Sequence, residues 1–154
     1  MMPKQKAWGG IDPGVSGCAC LLTTDRIWFH DFQSEEMAAA KIEQWNDACN
    51  VKFLLERQVD VRTKKFSVSG KLLINYGFWR GLLTGLNCNW FERMPRTWQK
   101  VILSKKLKGE DTKDRALVWA KKFYPSCSNA LDMKKHHNRA DALLMAHFVR
   151  QTEI

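Results

Sequence analysis

The sequence predicts an α/β fold, a mixed sheet with helices on its faces, and three observations carry the prediction. Three strand-like apolar runs open the chain, later apolar runs alternate with stretches of helical periodicity, and an apolar helix closes it. The 154 residues fit one domain, read as 1–154, with enough chain to bury a core without disulfides or structural metals.

The first strand leads through Trp8 and Ile11 to Asp12, followed by the turn residues Pro13 and Gly14. Cys18 to Leu22 and Arg26 to Phe32 follow, separated by Thr23-Thr24-Asp25, which completes an antiparallel meander. Ser34 offers a helix cap with Glu35 and Glu36 in the first turn, where the dipole favours acids, and this helix runs to about Ala48. Val51 to Leu55 reads as a buried strand ending in Glu56-Arg57-Gln58. Val59 to Ser69 reads as a polar, basic loop entering a helix over Lys71 to Leu86. Asn89 to Arg93 is a further strand, Pro95 to about Leu103 a helix with proline in its first turn, and Asp111 to Tyr124 a helix stopped by Pro125. Cys127 to Lys135 is expected to be a loop, and Asn138 to Phe148 the final helix.

Lysine and arginine number 25 against 16 acids, a net charge of +9, which points to a polyanionic partner, nucleic acid first. No segment is apolar for the roughly 18 residues that a membrane span requires, and no signal peptide is read before Trp8. The five cysteines are odd in number and lack a CxxC pair, which suggests free thiols in a reducing compartment. Cys18 and Cys20 share a strand face, where ordinary packing is the simpler reading than a metal pair.

Three acids carry the chemistry. Asp12 ends a buried strand, where it either closes an Asp-Pro-Gly turn or has its charge neutralised by a metal ion. Glu56 ends a second strand. Asp141 lies on an apolar helix, where it could pair with Arg139 or Lys71, or join Asn138 and His137 on one face as a metal-ligand grouping. Three separated carboxylates suit Mg²⁺ or Mn²⁺, and two such ions can drive in-line displacement at a phosphate. With the basic composition, this points to a nuclease.

Gly10-Ile11-Asp12-Pro13-Gly14, Leu54-Leu55-Glu56-Arg57-Gln58 and Ala140-Asp141-Ala142-Leu143 together resemble the RuvC-like Holliday-junction resolvases of the ribonuclease H-like superfamily. Pro95-Arg96-Thr97-Trp98-Gln99-Lys100 resembles the family's helix start after its fourth core strand, so the resemblance covers almost the whole chain. It implies a five-stranded mixed sheet, three antiparallel strands then two parallel, flanked by helices. It further implies two Mg²⁺ or Mn²⁺ ions held by Asp12, Glu56 and Asp141, and no nucleotide cofactor. The implied activity is resolution of four-way DNA junctions by a homodimer, through paired nicks that leave 5′-phosphate and 3′-hydroxyl ends. The size and divergence look like a bacteriophage or prophage member, acting in the cytoplasm of a bacterial or phage-infected cell at the nucleoid. The family's fourth ligand, an acid or in some members a histidine, falls here on Asn138, with His137 or His136 as alternatives.

The helix over Lys71 to Leu86 would pair the protomers, with Phe78, Trp79 and Leu82 either at that interface or in the core. For DNA contact, Arg62, Lys64, Lys65 and Phe66 combine phosphate-binding cations with a ring that can stack on a base or tuck into the next helix. Arg96, Lys100, Lys105, Lys106, Lys108 and Lys113 form a second basic track. Two competing functions are a broader branched-DNA or flap endonuclease on the same site and a junction-binding protein with weakened catalysis. A phosphotransfer domain of the actin-like type would need a second nucleotide-binding lobe that 154 residues do not provide.

Overall fold

The computed structural model describes residues 1–58, 66–103 and 112–153, excluding the side chains of 66–69, 112 and 113. The meander comprises β1 (Gln5–Asp12), β2 (Cys18–Leu22) and β3 (Ile27–Asp31), paired antiparallel. β4 (Cys49–Glu56) lies parallel to β1 on its other side, and β5 (Asn89–Arg93) lies parallel to β4, so the sheet order is β3-β2-β1-β4-β5. This is the five-stranded mixed sheet expected, with three antiparallel strands followed by two parallel ones.

Side-chain alternation along the strands builds two cores. Ala7 and Ile11 of β1 and Val51, Phe53 and Leu55 of β4 face one side, where α1 (Glu35–Ala48) and α2 (Phe66–Gly85) cover them through Ala38, Ile42, Trp45, Trp79 and Leu83. Trp8 and Leu54 face the other side with Cys18, Cys20 and Leu22 of β2. There α3 (Pro95–Ile102), α4 (Thr112–Phe123) and α5 (His137–Gln151) close the second core. The same period of two turns Asp12 and Glu56 toward the α5 side.

Gly10 decides how closely α5 approaches. A Cβ there would stand 2.0 Å from the Ala142 carbonyl oxygen and 2.8 Å from the Ala146 nitrogen, so only glycine lets the helix backbone rest on β1. Capping proceeds as the sequence predicts at α1, where Ser34 Oγ accepts from the Met37 N–H at 3.1 Å.

The structure departs from the sequence reading in two places and bears on an open choice in a third. α2 begins at Phe66, five residues before Lys71, so Phe66 opens a helix rather than sitting in a loop. Phe66-Ser67-Val68-Ser69-Gly70 are all weak helix formers, which hid the helix start. Pro125–Leu131 and Lys134–His136 form 3₁₀ turns where a plain loop was expected, with Leu131 fully buried and Ser128 Oγ bonded to the Pro125 carbonyl. Finally, Trp79 is 1% exposed, and Phe78 and Leu82 pack against its core, with Phe78 and Phe32 ringing Trp79 at 5.4 and 6.2 Å. Of the two readings of this face, core packing holds for Trp79, while Phe78 and Leu82 stay partly exposed at the edge of that core. No described helix is long and apolar enough to cross a membrane.

Candidate metal centre

Topology brings the acids together at one end of the sheet. Asp12 and Glu56 each stand one residue beyond the parallel pair Ile11 and Leu55, at the ends of neighbouring strands and on the same face. Seated on Gly10, α5 carries Asp141, the residue before Ala142, over those strand ends. The electrostatics report the convergence. Desolvation raises the Asp12 carboxyl well above its ordinary value, and the Asp141 and Glu56 charges raise it further. As a whole residue Asp12 is only half-buried, but its carboxyl lies deep enough for desolvation to dominate. Glu56 is also raised by burial, with hydrogen bonds from Trp98 and Gln58 opposing the rise.

The turn after Asp12 is built into the site. Pro13 fixes the exit, Gly14 takes the left-handed φ of 130°, and the Gly17 N–H donates to the Gly14 carbonyl at 3.0 Å. Buried Asn75 on α2 accepts from the Gly14 N–H at 2.7 Å. The segment after Asp12 is therefore a turn, and that turn holds the strand end that presents the acid.

Asn138 lies three residues before Asp141, yet its amide nitrogen is turned to the Ser16 backbone carbonyl and also lies 3.5 Å from Ser16 Oγ. Its first role is to tie the start of α5 to the β1–β2 turn. His137 opens α5 half-buried. His136 is spent locally, with Nδ1 3.3 Å from the Met133 nitrogen and 3.4 Å from Asp132, so it is poorly placed to replace Asn138. Arg139, a candidate partner for Asp141, instead grips Asp31 through two bonds of 2.9 and 2.6 Å. A cleft of about 300 Å³ opens between Ser16, Asp31, Lys135 and Asn138. A larger one, about 400 Å³, sits at the other end of the strands around Lys4, Cys49 and Asn89 and holds no acid.

The donor set can be tested for a divalent ion. Among the described residues no three His, Cys, Asp or Glu side chains close around a single point. The chemistry nevertheless fits: two carboxylates at neighbouring strand ends and a third on α5, with Asp12 strongly desolvated and repelled by the other two, form a hard-oxygen set. Mg²⁺ retains several waters and takes only one or two carboxylates directly, so a closed cage is not required.

Of the DNA-contact candidates, Arg62, Lys64, Lys65, Lys105, Lys106 and Lys108 lie outside the described residues. Phe66 and Lys113 lie in the first turns of α2 and α4, their side chains likewise outside. Arg96 and Lys100 are exposed, one helical turn apart on α3, which begins two residues after Arg93, the register neighbour of Glu56. Sequence reasoning gave no role to Asn75, Ser16 or the Trp98 indole. The motif containing Trp98 was the only signal for any of them.

No protein-family model matches the sequence. Thermus thermophilus RuvC in complex with a Holliday junction substrate superposes with a TM-score of 0.61 at 11% identity, covering 96% of each chain. The chain has the RuvC fold. A second Thermus thermophilus RuvC structure superposes on this chain at a TM-score of 0.52 and 14% identity, covering 94% of it and 95% of that chain. In sequence, the chloroplastic Holliday junction resolvase MOC1 of Chlamydomonas reinhardtii is 39% identical over 70 residues, which is 46% of this chain but only 8% of that protein.

Proposed function

We propose that this chain is a divalent-metal-dependent endodeoxyribonuclease that resolves four-way DNA junctions by paired nicks leaving 5′-phosphate and 3′-hydroxyl ends. The observation that carries the proposal is the desolvated Asp12 carboxyl, raised by the charges of both Glu56 and Asp141, at the strand ends of a RuvC fold. Asp12, Glu56 and Asp141 would hold the ions, with the Asn138 amide oxygen as the fourth donor. Bound there, Mg²⁺ or Mn²⁺ supplies activation of water and neutralisation of charge at a scissile phosphate.

The chain's own residues do the rest. β1 and β4 fix two acids on adjacent strands, Gly10 admits α5 with the third, and the Asn75 and Asn138 bonds hold the turn between them. Arg96 and Lys100 offer exposed cations for the sugar-phosphate backbone, in keeping with the +9 net charge. Paired nicks require two centres, so the acting unit is a homodimer.

One observation favours a second reading. The amide of Asn138 is occupied by Ser16, and a neutral residue there lowers the site's charge, as expected of a junction-binding protein with weakened catalysis. The test is to incubate purified protein with labelled four-way junction, Y-fork and linear duplex in Mg²⁺, Mn²⁺ or EDTA. Nicking of the junction only with metal is expected. Equal cutting of the Y-fork would shift the assignment to a general branched-DNA nuclease, tight junction binding without nicking to the second reading, and metal-independent cutting would refute the proposal.

A further inference from the structure

Glu56 is held by a side chain to which the proposed chemistry assigns no part. The Trp98 indole N–H donates to Glu56 Oε2 at 2.8 Å, across 42 residues of chain, from a ring that is 0% exposed. The other oxygen, Oε1, receives a longer bond from Gln58, at 3.4 Å. An indole can donate and never accept, so its contact favours the ionised carboxylate and leaves lone pairs on both oxygens for a cation. Its ring is locked in the same buried core as Ala140, Ala142 and Leu143, the residues around Asp141 on α5, and α3 packs against that helix. A rigid side chain from α3, a helix packed on the one bearing Asp141, therefore reaches the strand end bearing Glu56. The other deeply buried tryptophan, Trp79, has no hydrogen-bond partner for its indole nitrogen among the described residues and packs in the opposite core.

We infer that Trp98 is a positioning residue of the metal centre, its buried N–H fixing the Glu56 carboxylate in the orientation that receives a divalent cation. The inference rests on the metal-nuclease reading above and adds to it a side chain that orients a ligand without touching the ion. Partners of this kind typically change metal affinity or activity by about 10–100-fold when removed.

The test measures Mn²⁺ binding to the protein without DNA by calorimetry, and separately the kcat and KM of junction nicking. Trp98→Phe removes the N–H. Replacing residue 98 by benzothienylalanine removes it while keeping the ring's shape, and decides the question if Trp98→Phe does not fold. Trp79→Phe is the packing control. Both changes at 98 are expected to weaken Mn²⁺ binding by about 10-fold or more and lower kcat comparably, with the junction KM within about two-fold of wild type. Trp79→Phe should melt lower yet bind Mn²⁺ normally. Folded position-98 variants that bind Mn²⁺ as the wild type does would overturn the inference while leaving the nuclease reading standing. A wild-type protein that neither binds Mn²⁺ nor nicks would overturn both.

Discussion

Replacing Gly10 by alanine tests whether the contact between β1 and α5 assembles the site. The added Cβ would lie 2.0 Å from the Ala142 carbonyl oxygen, where real contacts stay above about 3.0 Å, so strand and helix must separate by about 1 Å. The three nearest atoms, Ala142 O, Ala146 N and Met145 Cβ, are backbone or Cβ, with no flexible end to swing aside. Overpacking of this kind costs about 1–3 kcal/mol. At this chain length each kcal/mol lowers Tm by about 2–4 °C, so a drop of about 2–12 °C is expected. The same separation carries Asp141 away from Asp12, and a 1 Å misplacement of reacting groups can cost about 10²-fold in rate. Gly9→Ala is the matched comparison, because its Cβ would meet the Phe53 ring at 2.1 Å on the opposite face of the sheet. Thermal melts and single-turnover nicking of a four-way junction in Mn²⁺ should show both variants destabilised, with the larger loss of rate at Gly10. A Gly10→Ala protein with wild-type Tm and rate would refute the argument, and equal rate losses in the two variants would show that stability, not the placement of α5, governs nicking.

Three other changes give distinct outcomes. Burial and two neighbouring charges raise the Asp12 carboxyl, so the folded chain holds that proton more tightly than the unfolded chain. Its contribution to stability is fully present below the ordinary value of 3.8 and is lost as pH rises toward the folded value. Asp12→Asn in EDTA should therefore melt above wild type at pH 7, with the gap narrowing toward pH 4 in melts across that range. Asn138→Asp sets a carboxylate against the Ser16 carbonyl, and should melt lower in EDTA yet nick equally well or better in Mg²⁺. Arg139→Gln removes the bidentate grip on Asp31, a partly exposed pair worth about 1 kcal/mol or less, so Tm should fall by no more than about 2–4 °C at neutral pH. Arg139 holds the Asp31 carboxyl below its ordinary value, so this difference should fade as the melts are taken below about pH 4.

The strands were legible because their side chains alternate between two apolar layers, and that alternation set Asp12 and Glu56 on one face. Asp141 was legible as a charge on a helix otherwise buried on nearly every side. The bonds that organise the site were not legible, since they join residues far apart in sequence: Gly14 to Asn75 across 61 residues and Asn138 to Ser16 across 122. Gly10 read as an unencumbered strand residue, but its requirement exists only because a helix presses on it. Phe78, Trp79 and Leu82 were ambiguous because helical spacing marks an apolar face without saying what covers it. Here Phe32 and the sheet do so.

The most direct test of a centre assembled from Asp12, Glu56 and Asp141 is to compare wild type with Asp12→Asn, Glu56→Gln and Asp141→Asn on a labelled four-way junction in Mn²⁺. Binding should survive in all four proteins because it depends mainly on cations meeting phosphate, whereas only the wild type should nick. Nicking at the wild-type rate by any one of the three variants would contradict a shared metal centre.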